Sequence, residues 1–178
     1  MMLITGASSF LSDALVRALN QHNFNYLVVT DDNPAWKPPT DWRIETHLFP
    51  ASLPEWFGDN EQEVEFAFCL DGADHEADDA YFQILWQQCI DYQVPLIYRT
   101  TAARSFWVAR QAAAPFFWAG LLAPPPRTNS KNDEGLLPYA QDVAQAAYFL
   151  VHHRQQSGEF TVSDINQNHL RDKTGYSR

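Results

Sequence analysis

Short apolar runs alternate with stretches of helical period along almost the whole chain, and this alternation restricts the fold more than any single residue does. Met2 to Thr5 is one such run. It stops at Gly6, and from there Leu11, Ala14, Leu15, Ala18 and Leu19 recur at the spacing of one helix face. Tyr26 to Thr30 is apolar on both parities, as a strand must be when helices cover both faces of its sheet, and it ends in the turn Asp31-Asp32-Asn33-Pro34. Further strands are expected over Trp42 to Phe49, Val64 to Leu70, Pro95 to Thr100, Phe116 to Ala123 and Glu159 to Val162. Between them lie a helical turn near Glu55 to Phe57, a helix through Tyr81, Ile84, Leu85, Cys89 and Tyr92, a short helical segment from Ala102 to Ala114, and a helix through Tyr139, Val143, Ala146, Ala147 and Leu150. The pattern predicts an α/β fold, a doubly wound, mostly parallel sheet with right-handed crossovers. One domain is expected over residues 1–163, followed by a polar tail, residues 164–178, without apolar periodicity.

At 178 residues the chain suits one domain, and its 46% hydrophobic content is enough to offset the entropy of ordering it. A formal charge of -10 repels polyanions, which argues against nucleic acid and acidic lipid as partners. It does not exclude one nucleotide held locally at a helix N-terminus. No apolar run reaches the roughly 18 residues of a membrane span, and the opening run is too short for a signal peptide, so a cytoplasmic protein is expected.

Cys69 and Cys89 fall on a strand and a helix face without close-spaced partners, and they read as buried free thiols. The cluster Asp71, Asp74, His75, Glu76, Asp78 and Asp79 reads as an acidic helix entrance, stabilised by the helix dipole, and no metal site is expected there. His152 and His153 read as the cationic end of the last helix.

The segment Ile4-Thr5-Gly6-Ala7-Ser8-Ser9-Phe10-Leu11-Ser12 resembles the T-G-G-x-G-F-[IL]-G fingerprint of the NAD-dependent epimerase/dehydratase family, a branch of the extended short-chain dehydrogenase/reductases. The register, the Phe-Leu pair and the first glycine match, while Ser9 and Ser12 stand at the second and third glycine positions. Further matches follow in the family's order. Val94 to Ala103 resembles its strand ending in S-S-A-A, and Phe117 to Arg127 its apolar strand leading to Y-G-P-R, of which Pro126-Arg127 survives. Gln141-Asp142-Val143-Ala144 resembles x-D-V-A, and Gly158 to Val162 resembles G-x-F-N-[IL]. The resemblance implies a Rossmann-like fold without a developed substrate domain, and NAD or NADP as cofactor, bound weakly or lost. It implies cofactor contacts from Gly6, Ser8, Ser9, Phe10, Leu11, Ser12 and Arg110, with Asp31 or Asp32 at the place of the ribose-binding acid.

In the family, a Ser or Thr polarises the substrate carbonyl while Tyr-x-x-x-Lys supplies the acid/base. Here Thr101 matches the first position, but Phe106-Trp107-Val108-Ala109-Arg110 puts phenylalanine and arginine at the other two. A phenyl ring carries no proton to transfer, and an arginine stays charged. The resemblance therefore implies a non-catalytic or altered member that binds a nucleotide or serves as a regulatory or interaction module. The alternative is an active NAD(P)-dependent reductase or epimerase, acting on a nucleotide sugar or a small carbonyl compound, with Tyr98 or Tyr139 as the acid/base. Tyr81 and Trp86 fall on the helix that pairs subunits in the related enzymes, which suggests a homodimer through that surface.

Overall fold

In the central strands, neighbouring residues point into two different cores, which is why their sequences are apolar on both parities. Ile4, Val29, Phe66, Phe68 and Ile97 are buried in one hydrophobic cluster, whereas Leu3, Val28, Ala67 and Leu96 are buried in the other. The computed structural model describes residues 1–60, 63–70, 80–100, 117–123, 136–154 and 157–167. Their order is β1 (Met2–Thr5), α1 (Phe10–Gln21), β2 (Leu27–Thr30), β3 (Thr46–Leu48), α2 (Leu53–Asn60), β4 (Phe66–Cys69), α3 (Ala80–Tyr92), β5 (Leu96–Thr100), β6 (Trp118–Leu122), α4 (Leu136–His152) and β7 (Gly158–Thr161). A short 3-10 turn, Pro50–Ser52, leads into α2.

The strands form one seven-stranded sheet in the order β3-β2-β1-β4-β5-β6-β7, and every neighbouring pair is parallel. The winding reverses beside β1, where β2 lies on one side and β4 on the other, which makes the carboxyl end of β1 the switch point of the sheet. The first core is closed by α1 and α4, which pack closely through the buried residues Ala18, Ala140, Ala144 and Ala147. The second core is closed by α2 and α3 through Leu53, Phe57, Phe82, Leu85, Trp86 and Cys89. Cys69 and Cys89 are both free and buried, and burial pushes the Cys89 thiol far above its ordinary range.

The structure corrects several expectations. The third strand runs over only three residues instead of eight, because Trp42 turns inward: its backbone N–H donates to the Pro39 carbonyl and its indole Nε1 donates to Asp13 at 3.1 Å. Tyr81 and Trp86 do not form an outer surface. Trp86 is 6% exposed against Phe82 and Tyr98, and the Tyr81 hydroxyl lies 2.7 Å from Thr30 Oγ1. His152 stands in the last turn of α4 as expected, but burial and the neighbouring positive groups lower its pKa, which weighs against a charged helix end there.

The expected structureless tail starts with helix. Residues 162–167 are helical, Ile165 is 4% exposed within the first core, and Asn166 Nδ2 donates to the Asp142 carbonyl at 3.1 Å. A single apolar residue carries no periodicity, so this segment gives no signal in the sequence. Replacing Ile165 with Ala is expected to cost about 2–4 kcal/mol in urea unfolding, the usual loss for a buried Ile-to-Ala cavity. A cost near zero would place the domain's end before this helix.

Candidate functional site

The carboxyl end of β1 runs through Gly6 into the N-terminus of α1, and this junction sits at the switch point of the sheet. Gly6 has φ 64, a left-handed conformation that a Cβ would strain, which explains why the first glycine of the fingerprint is kept. The next glycine position tolerates a side chain, because Ser9 is extended with φ -76 and ψ 148. Ser9 serves as the N-cap of α1, where its Oγ accepts the Ser12 backbone N–H at 3.2 Å.

The same hydroxyl donates to Ser12 Oγ at 3.1 Å, and Ser12 Oγ in turn donates to the Thr5 carbonyl at 3.1 Å. Ser12 is fully buried, so the contact with Thr5 satisfies a hydroxyl that would otherwise be costly to seal between helix and strand. Thr5 Oγ1 donates across the sheet to the Phe68 carbonyl at 3.2 Å, tying the junction to β4.

Asp31 closes the loop from the other side. It is 1% exposed at the end of β2, and its Oδ2 accepts the Ser8 N–H at 2.6 Å while Oδ1 accepts the Asn33 N–H at 2.9 Å. Asp32 is exposed beside it. The Ala7 N–H donates to the Thr30 carbonyl, the Ser9 N–H to the Gly6 carbonyl and the Asp13 N–H to the Ser9 carbonyl. Of the amides from Ala7 to Asp13, five are thus satisfied by the protein itself, and only those of Phe10 and Leu11 lack a partner among the described residues. Phe10 is 43% exposed, and its ring lies 6.2 Å from Tyr139.

The structure therefore gathers Gly6, Ser8, Ser9, Phe10, Leu11, Ser12 and Asp31 at one place. Thr101, Phe106, Arg110 and the acidic cluster from Asp71 to Asp79 lie outside the described residues. No group of three metal-capable side chains occurs among the described residues. Of the two tyrosines offered as a substitute acid/base, Tyr139 stands beside the loop and Tyr98 lies in the second core. Tyr98 is 2% exposed in the second core, between Phe82, Trp86 and Trp118, with its hydroxyl lying over Gly120. The Tyr139 hydroxyl donates to the Ala123 carbonyl at 3.1 Å.

Two contacts escape the sequence: the Asp31 bond to Ser8 and the pairing of Thr30 with Tyr81. Both join residues far apart in the chain, and no local spacing announces them. The Ser9 cap, by contrast, is legible as a serine placed just before an apolar helical stripe.

No family model matches the sequence, and no curated protein matches it significantly. The structure is more informative. Its architecture is that of the doubly wound dinucleotide-binding proteins, with the switch point at the first turn. Within that class, many of its neighbours are nucleotide-sugar epimerases. A UDP-glucose 4-epimerase from Thermus thermophilus, solved in complex with NAD, matches with a TM-score of 0.61 and 12% identity over 90% of this chain and 76% of that one. A nucleoside-diphosphate-sugar epimerase from Staphylococcus aureus gives 0.64 and 12% over 90% and 69%. The Bordetella bronchiseptica enzyme WbmG, in complex with NAD and UDP, gives 0.63 and 14% over 90% and 72%. At these identities the likeness establishes the fold, and the family resemblance read from the motifs is met at that level.

The cap makes a quantitative prediction. Ser9→Ala removes the oxygen that Ser12 N–H needs and is expected to cost about 1 kcal/mol, while Ser9→Gly costs only a few tenths, both read from urea unfolding midpoints. Equal losses for the two variants would mean that the Ser9 oxygen caps nothing.

Proposed function

We propose that this chain is a catalytically altered nucleotide-binding module on an epimerase fold, acting through binding and not through turnover. One observation carries the reading: Asp31 takes the Ser8 amide and the Ser9 hydroxyl takes the Ser12 amide, two donors that an open phosphate loop would leave for a pyrophosphate. The remaining donors, Phe10 N–H and Leu11 N–H at the α1 N-terminus, support a weak anion contact. Phe106 at the place of the proton-transferring tyrosine supports the loss of chemistry.

NAD is the dinucleotide favoured over NADP, since Asp31 and Asp32 would repel a 2′-phosphate. Pairing of two copies through α3 would rest on Ile84, which is 42% exposed, because Trp86 is buried and Tyr81 is half-buried with its hydroxyl on Thr30. No helix among the described residues is long and apolar enough to cross a membrane.

Thermal unfolding with and without 1 mM NAD tests the reading. A Kd of about 1 mM would raise the midpoint by RT ln 2, about 0.4 kcal/mol or roughly 1 °C, and no larger shift is expected for the unaltered chain. The variant carrying Ser9→Gly and Ser12→Gly should shift more, relative to its own ligand-free midpoint. A shift of several degrees in the unaltered chain, accompanied by epimerisation of a UDP-sugar, would contradict the proposal.

A further inference from the structure

The two helices that close the first core meet again at the opposite end of the sheet, and there the contact is built from histidines. His22, the C-cap of α1, stacks on Tyr148 of α4 with ring centroids 4.1 Å apart and planes 11° from parallel. His152, in the last turn of α4, meets the same Tyr148 ring edge-on at 5.0 Å and lies 6.3 Å from Phe24. One turn of α4 thus holds a tyrosine between an imidazole of its own helix and an imidazole of α1.

The groups that shift His152 are cationic, while Glu65, paired with the N-terminal amine at 3.1 Å, lines the neighbouring pocket with Asn23 and Phe24. His153 stacks on Phe149 at 3.7 Å, the Arg154 guanidinium lies 4.1 Å from the Phe66 ring of β4, and the Arg43 guanidinium donates to the Asn20 carbonyl in the last turn of α1. Burial first, then His153, His22 and Arg154, lower the pKa of His152, and no carboxylate is among the groups that shift it.

Two effects oppose this. Both helix C-termini favour positive charge, and a protonated His22 over the Tyr148 face gains a cation–π attraction. A proton on His152 arrives beside His22, His153 and Arg154, and for that site the unfavourable effects prevail.

We propose that His22, Tyr148 and His152 form a proton-sensitive clasp that holds the C-terminal ends of α1 and α4 together while His152 is neutral and loosens when it is protonated. Because α1 is 12 residues long, the clasp sits about 18 Å from the Gly6–Ser12 loop on the same rigid element. Acidification therefore acts on the helix that carries the loop without touching the loop itself. The clasp does not depend on what the loop binds.

The sign follows from linkage. A histidine held below its ordinary pKa in the folded chain contributes stability that is complete above about 6.5 and is lost as the pH falls from there toward the folded value. Thermal unfolding of the full chain and of His152→Gln at pH 7.5 and 5.5 reads it directly. The midpoint of the unaltered chain should fall further than that of the variant across that window. The ring protons of His152 should titrate below those of an unstructured histidine. Equal losses in the two proteins would overturn the clasp, as would a His152 titration at or above the ordinary value. If His152→Gln does not fold, His22→Gln serves for the midpoints, and the ring titration needs only the unaltered chain.

Discussion

The passage from β1 to α1 is held by two hydroxyls in series: Ser12 reaches back to the carbonyl of Thr5, and Ser9 caps the helix while donating to Ser12. A strand that ends at a sheet's switch point and turns at once into a helix must place its first amides somewhere, because they have no partners within the helix. Dinucleotide-binding loops of this fold leave that work to the ligand and keep the approach open with glycine. In this chain side chains do part of that work: Ser9 takes the Ser12 amide and Asp31 that of Ser8, while the Phe10 and Leu11 amides have no partner among the described residues. The cap on α1 is therefore formed without a ligand.

That choice affects both structure and function. A serine at the N-cap stabilises the helix by about 1 kcal/mol over alanine, and a buried serine on the Thr5 carbonyl fastens the helix to the strand. Ser12 is sealed beneath the loop, whereas the half-buried Ser9 and the Asp31 carboxylate on the Ser8 amide stand at its surface. On the proposed reading, these same contacts that stabilise the loop weaken its affinity for anions. Gly6 alone is retained for geometry, since its positive φ is needed whether or not a ligand binds.

Much of this is legible in the sequence. Runs apolar on both parities, such as Leu27 to Thr30, announce a sheet covered on both faces, and the order of the motifs announces its winding. The serines at the glycine positions are visible as departures. Their consequence is not, because whether Ser12 obstructs a ligand or bonds to Thr5 depends on the path of the backbone. The inward turn of Trp42, the burial of Ile165 and the pairing of Thr30 with Tyr81 are hidden for a common reason. Each is a tertiary contact made by one residue, and periodicity registers only residues that recur.

Backbone amide spectra of residues 6–13, followed during titration with ADP, test the central claim most directly. If the loop is closed by its own side chains, the Phe10 and Leu11 signals should move at millimolar nucleotide while those of Ser8 and Ser12, engaged by Asp31 and Ser9, stay nearly in place. Saturating movement of all these amides at micromolar nucleotide would show that the relay opens readily, and would contradict a junction closed by its own hydroxyls.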